Sequence, residues 1–324
     1  MEINPITIRT LSMLGQRGVF GLAFMDVAET DRNIIALSAD LCNTSGLDRF
    51  RTKYPDRFFN VGIAEQNMVG VAAGLAAAGY VPFATTFANF AALRSCEQVR
   101  HFLGYMKENV KLVGFGAGFS FGMFGTTHYA LEDVAVLRAI NNLVILNPAD
   151  GLEVLKATHA AAKINAPVYI RLSGVMNNPI IYKSDYVFEI GKAITLREGM
   201  DVSIITTGSM VDLALKAAAL LEADGVSAEV VNMHTIKPLD VYAVEKACAK
   251  KLIVTVEEHS RIGGLGSAVA EVLTSNTRRP IQIILGTGDE YLHAGDFQHM
   301  LESHGLTALQ IAKKISNTYK EVVK

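Results

Sequence analysis

Tryptophan is absent from the 324-residue chain, and cysteine occurs only three times. Cys42, Cys96 and Cys248 are dispersed, odd in number and without paired spacing. That excludes a disulfide framework and a cysteine-based zinc site, and it points to a reducing cytoplasm. Net charge is also nearly missing, at -2 from 30 basic and 32 acidic residues, so nothing marks nucleic acid or an anionic membrane as a partner. Residues 1–13 are polar and mixed, unlike a signal peptide. One uncharged stretch, Asn67 to Leu93, is long enough to cross a bilayer, but it is built of Ala and Gly and divided by Gly79 and Pro82. It reads as a small-residue helix over about 66–78 and a strand over about 80–86, packed tightly inside an α/β core.

What is present is globular: half the residues are hydrophobic, 19% are charged, and the length suits about two domains. Apolar runs at Ile34–Ser38, Val81–Ala84, Val110–Val113, Leu143–Leu146 and Val168–Arg171 alternate with helical patterns such as Leu152–Ile164. A second series has strands at Val202–Thr206, Ala228–Val231, Leu252–Val256 and Ile281–Leu285, with helices at Met210–Leu221 and Gly266–Leu273. This alternation predicts two open α/β domains, each a parallel-type sheet with helices on both faces. The expected domains are residues 1–180 and 188–324, with the boundary near 175–190. Open parallel sheets bind ligands beyond the carboxyl ends of their strands, so the loops there are the places to look for chemistry.

Three such places stand out. Glu65, in Gly62-Ile63-Ala64-Glu65-Gln66-Asn67-Met68, opens the most apolar helix of the chain. It is either a carboxylate favoured by the helix dipole or a desolvated one tuned to share a proton, and the two effects oppose each other. Phe87 and Phe90 lie three apart at a strand-to-helix transition, as core residues or as a stacking platform for a flat heterocycle. The uncharged loop from Gly114 to His128 alternates glycines with aromatics, a composition suited to binding, and it ends on a histidine that is structural or catalytic.

Taken together, Glu65 in its Gly-Ile-Ala-Glu-Gln-Asn-Met run, Thr86–Phe90 and Gly125–His128 resemble, in order and spacing, the pyrimidine-binding domain of transketolases. Ser38–Leu41 and Asn147–Asp150 match further landmarks of that domain. Met233–Asp240 and Glu257–His259 followed by Gly263–Gly266 look like the transketolase C-terminal domain. The resemblance implies a thiamin-diphosphate-dependent transferase that moves a two-carbon ketol unit between a ketose and an aldose. It implies that Glu65 hydrogen-bonds the cofactor's aminopyrimidine, that Phe90 stacks on it with Phe87 completing the wall, and that Asp40 lies nearby. His128 matches the substrate-facing histidine, Arg9 a phosphate-contacting arginine, and Thr44 or Ser45 a phosphate-contacting serine. The chain has no Gly-Asp-Gly run followed by the Asn that holds Mg2+ and the diphosphate. The metal and diphosphate are therefore expected on a separate N-terminal transketolase subunit, the two chains forming a heterotetramer.

The substrate positions depart from the family pattern. Phe124 stands where the family has an Asp, Gly116 near an earlier His, and Gly174 near a phosphate-binding Arg, with Arg171 close by. Lost polar groups change substrate choice more than the chemistry, so the sugar or sugar phosphate is expected to be other than a standard pentose phosphate. Three rivals share the fold: the β subunit of a 2-oxoacid dehydrogenase, a 1-deoxyxylulose-phosphate synthase, and a non-catalytic scaffold. Glu257–His259 and Thr207–Ser209 in the second domain read as packing residues.

Overall fold

The computed structural model of the chain describes residues 2–173, 176–291 and 293–324. It begins with helix Pro5–Thr30, where the Asn4 side chain accepts the N–H groups of Ile6 and Thr7 as an N-cap. The first six strands are β1 (Ile34–Ser38), β2 (Phe58–Asn60), β3 (Val81–Phe87), β4 (Lys111–Phe115), β5 (Val144–Leu146) and β6 (Val168–Arg171). The next six are β7 (Ile194–Arg197), β8 (Val202–Thr206), β9 (Ala228–Asn232), β10 (Thr235–Lys237), β11 (Leu252–Ser260) and β12 (Ile281–Thr287).

Two sheets result. One runs β10-β5-β6-β4-β3-β1-β2 and the other β12-β11-β8-β9-β7. Pairing is parallel throughout except at β10 with β5 and β7 with β9. β1, β4 and β6 are buried along their whole length, which is why they read as unbroken apolar runs. Alternate side chains serve opposite faces. Ala36, Phe83 and Val113 join Phe20 and Phe24 of helix Pro5–Thr30, whereas Leu37, Ala84 and Leu112 meet Met68, Val69 and Ala72 of helix Glu65–Ala77. Each fully buried Phe or Leu contributes about 1.5–3 kcal/mol, so the small Ala and Gly residues of helix Glu65–Ala77 are compatible with a firm core. The uncharged Asn67–Leu93 stretch is thus a helix and most of β3. No helix among the described residues is long and apolar enough to cross a membrane.

The two sheets are joined as well as linked. β10, from the second half of the sequence, pairs antiparallel with β5 and finishes the first sheet. Beside this seam Arg171 donates to Asp133 Oδ2 at 2.8 Å and to the carbonyls of Ala130 and Glu258 at 3.1 Å. Tyr169 donates to the same carboxylate oxygen at 2.8 Å. Although burial opposes ionisation, the guanidinium and the hydrogen bonds hold the Asp133 carboxyl below its usual range.

Candidate active site

Because β1, β3 and β4 are parallel neighbours, the segments that follow them open on one edge of the sheet. Beyond β3 the chain does not enter an ordinary helix. Residues Phe90–Arg94 form a π-helical turn, closed by the Ser95 N–H donating to the Phe90 carbonyl at 3.2 Å. Such wide turns recur at functional sites. Here the turn lays the Arg94 guanidinium over the Phe90 ring, 3.8 Å from its centroid.

Glu65 begins helix Glu65–Ala77 and is only 2% exposed. The sequence leaves two opposing influences on this carboxylate, and the structure adds a third. Arg94 Nη1 donates to Glu65 Oε1 at 2.8 Å, from a side chain that is itself 46% exposed. The guanidinium thus bridges the carboxylate and the phenyl ring at the sheet edge.

Next to it the glycine loop folds into an aromatic cage. Phe87 meets Phe90 at 5.7 Å between centroids and Phe121 edge-on at 4.7 Å. His128 lies 5.7 Å from Phe90, 6.2 Å from Phe87 and 5.4 Å from Phe124. Thr127 Oγ1 and His128 Nδ1 are 2.9 Å apart, and Asn89 Nδ2 donates to the Thr127 carbonyl at 2.7 Å, fixing the loop end to the turn after β3. Gly116 explains how Phe121 enters. Its φ is +67°, and a Cβ there would sit 2.0 Å from the Phe121 ring. The phenyl group therefore fills the space beside the position where the family carries a histidine.

Of the residues singled out from sequence, Glu65, Phe87, Phe90 and His128 come together in this cluster, and Phe124 joins them while remaining 64% exposed. Asp40 follows β1 with φ of +59° and is exposed. Asn60 accepts its N–H at 3.1 Å and donates to its carboxylate at 3.0 Å. Arg9 stands exposed on helix Pro5–Thr30. Of the alternatives Thr44 and Ser45, the Ser45 hydroxyl is buried and donates to the carbonyls of Leu41 and Cys42, whereas Thr44 is half-buried. Gly174 lies outside the described residues. Arg171, the arginine near it, is 3% exposed and committed to Asp133.

The second sheet supports this cluster from behind. Glu258 accepts the main-chain N–H of Phe119 and the Ser209 hydroxyl, and burial pushes its carboxyl upward. Glu257, pointing the other way, accepts the N–H groups of Leu265 and Gly266 at 2.7 Å each and caps the helix Leu265–Thr274. His259 Nε2 accepts the N–H of Ala135 at 3.2 Å. Thr207 donates to the Asn147 carbonyl at 3.3 Å. All of these are packing contacts. Two residues of the cluster, Phe121 and Arg94, carry no individual role in the sequence reading. Phe121 was one aromatic among several in its loop, and Arg94 depends on a turn that leaves no local sequence signal.

Fold and cluster define an open-sheet α/β protein with a buried carboxylate and an aromatic cage at its sheet edge. Comparison with known proteins narrows this. Residues 13–175 match the family "Transketolase, pyrimidine binding domain", and residues 191–311 match "Transketolase, C-terminal domain". A Methanocaldococcus jannaschii protein with the provisional description "transketolase C-terminal section" is 40% identical over 95% of this chain and 97% of its own length. A "6-deoxy-6-sulfo-D-fructose transketolase subunit" from a Clostridium strain is 41% identical over 89% of each chain. Among solved structures, a "split gene transketolase, inactive beta4 tetramer" superimposes with a TM-score of 0.85 at 39% identity, over 94% of this chain and 98% of the other. The chain belongs to the transketolase family, the transferases that use thiamin diphosphate, and comprises the pyrimidine-binding and C-terminal domains.

The residues fit the aminopyrimidine of that cofactor. The Arg94 guanidinium, a planar N–H donor, already stacks on Phe90 and bonds Glu65, so ring and carboxylate together receive a group of that shape and chemistry.

Proposed function

We propose that this chain is the C-terminal subunit of a split transketolase, working in the cytoplasm with an N-terminal subunit that holds the cofactor's diphosphate and Mg2+. Two copies of each subunit form a heterotetramer. The pyrimidine-binding domain spans residues 1–180 and the C-terminal domain 188–324. The observation that carries the reading is a 2%-exposed carboxylate and an aromatic ring that a single guanidinium touches together. The split is supported by relatives described as transketolase subunits or sections, which match over most of their own length.

Thiamin diphosphate, when bound, supplies an electron sink for the carbanion left by breaking a ketose carbon–carbon bond. Glu65 holds a proton between its carboxyl oxygen and a ring nitrogen of the pyrimidine, and low water access makes that sharing effective. Phe90 binds the ring face and Phe87 closes the wall, with Asp40 at the next strand end. His128, its Nδ1 engaged by Thr127, offers Nε2 to a substrate hydroxyl. Arg9 and Thr44 face the anionic end of the substrate.

The cage beside His128 is built from Phe121 and Phe124 around Gly116, where the family pattern expects polar groups. This supports a modified sugar, branched or sulfonated, in place of a standard pentose phosphate. The Clostridium relative, described by its sulfofructose substrate, points the same way.

The test is reconstitution. The chain is mixed with the N-terminal subunit, thiamin diphosphate and Mg2+, and ketol transfer is followed with wild type and Glu65→Ala. Loss of about two orders of magnitude or more is expected from removing the proton-sharing group. Unchanged activity in Glu65→Ala refutes the role of Glu65. Xylulose phosphate and ribose phosphate emerging as the best substrate pair refutes the modified sugar.

A further inference from the structure

We propose that Arg94 is a latch that occupies the cofactor's ring seat in the subunit alone and must leave before the aminopyrimidine can enter. This rests on the reading of Glu65 and Phe90 as that seat. The guanidinium makes both contacts the ring requires. It lies in the stacking layer over Phe90, 3.8 Å from the ring centroid, and it holds Glu65 Oε1 at 2.8 Å. Two flat groups cannot share one stacking layer, so guanidinium and pyrimidine exclude each other. Departure is open to Arg94, because its side chain is 46% exposed and long enough to turn into solvent. Its partner has no such freedom. Glu65 is 2% exposed, and a buried carboxylate left without a partner is strongly unfavourable. The latch thus protects Glu65 until the cofactor takes over the same contacts.

An occupied seat weakens apparent affinity by the fraction of molecules in which it is open. The experiment is calorimetric titration of thiamin diphosphate, at saturating Mg2+, into the reconstituted pair carrying wild-type chain, Arg94→Met or Arg94→Lys. Thermal melting of the isolated chains runs alongside. Arg94→Met is expected to bind the cofactor about 5- to 10-fold more tightly while its isolated chain melts lower by roughly 2–4 °C. Lysine keeps the charge but not the flat stack, so Arg94→Lys should fall between wild type and Arg94→Met on both readouts. A purely structural arginine would lower both melting point and affinity, never raise affinity. Equal or weaker cofactor binding by Arg94→Met, or by Arg94→Lys should the methionine variant fail to fold, overturns the latch and leaves the functional reading standing. A wild-type pair that binds no cofactor overturns both.

Discussion

Glu258, on β11 of the second sheet, accepts the main-chain N–H of Phe119 in the glycine loop that follows β4 of the first. The rings of the aromatic cage come from the first half of the chain, yet a second-sheet carboxylate fastens the cage loop. A Cβ on Gly118 would also lie 2.2 Å from the same carboxylate, so loop and strand are fitted closely.

Glu258→Ala should therefore act at a distance. It strips acceptors from the Phe119 N–H and the Ser209 hydroxyl, at about 1–3 kcal/mol for each buried group left unsatisfied. The expected outcome is a lower urea midpoint together with a higher KM, because Phe121, Phe124 and His128 ride on the loosened loop. A KM equal to that of wild type would show the loop to be held by other contacts.

Gly116→Ala tests the packing of Phe121 directly. The new methyl would meet the ring at 2.0 Å from a backbone with φ of +67°. Overpacking of this kind costs about 1–3 kcal/mol. A drop in melting temperature is expected, with donor-sugar affinity lowered as Phe121 is pushed into the cage.

His128→Ala should separate chemistry from stability. The ring is half-buried and hydrogen-bonds Thr127, its sequence neighbour. On the proposed role of this ring at a substrate hydroxyl, its loss is expected to slow ketol transfer about 100-fold, while stability changes by less than about 1 kcal/mol. Paired kinetics and melting curves decide it.

His234 provides a pH signature. It is 1% exposed and stacked on Phe188, and burial lowers its pKa from 6.5 to about 4. The unfolded chain takes up a proton on this group as pH falls past 6.5, whereas the folded chain resists until about pH 4. Stability from this site is thus intact above pH 6.5 and declines as pH falls toward 4. The decline is about 1.4 kcal/mol per unit and up to about 3 kcal/mol in all. Chemical denaturation from pH 7 to 4.5 should show a shallower slope for His234→Asn than for wild type.

Much of the fold could be read from the sequence because parallel strands bury both faces and announce themselves as apolar runs. Ile34–Ser38 and Val202–Thr206 are strands over the expected residues, and the helix read at about 66–78 spans Glu65–Ala77. The short strands β2, β7 and β10 were not legible. Each is an edge strand whose existence depends on a distant partner, with no periodicity of its own. Helix Pro5–Thr30 was missed for another reason: its turns mix polar and apolar residues, and Gly15, at φ of +68°, breaks its helical geometry. Glu65, Phe87, Phe90 and His128 were singled out because their residue types are unusual in their settings, and they lie together at the sheet edge. Arg94 was not, since its place over Phe90 follows from a π-helical register that composition does not encode.

The antiparallel pairing of β10 with β5 bears on how such a gene can be divided. A cut between residues 175 and 190 would separate the halves at their covalent link yet sever their shared sheet, baring the β5 edge. It would also part Arg171 from the carbonyl of Glu258. The two halves are therefore sewn together by main-chain pairing as well as by the peptide backbone.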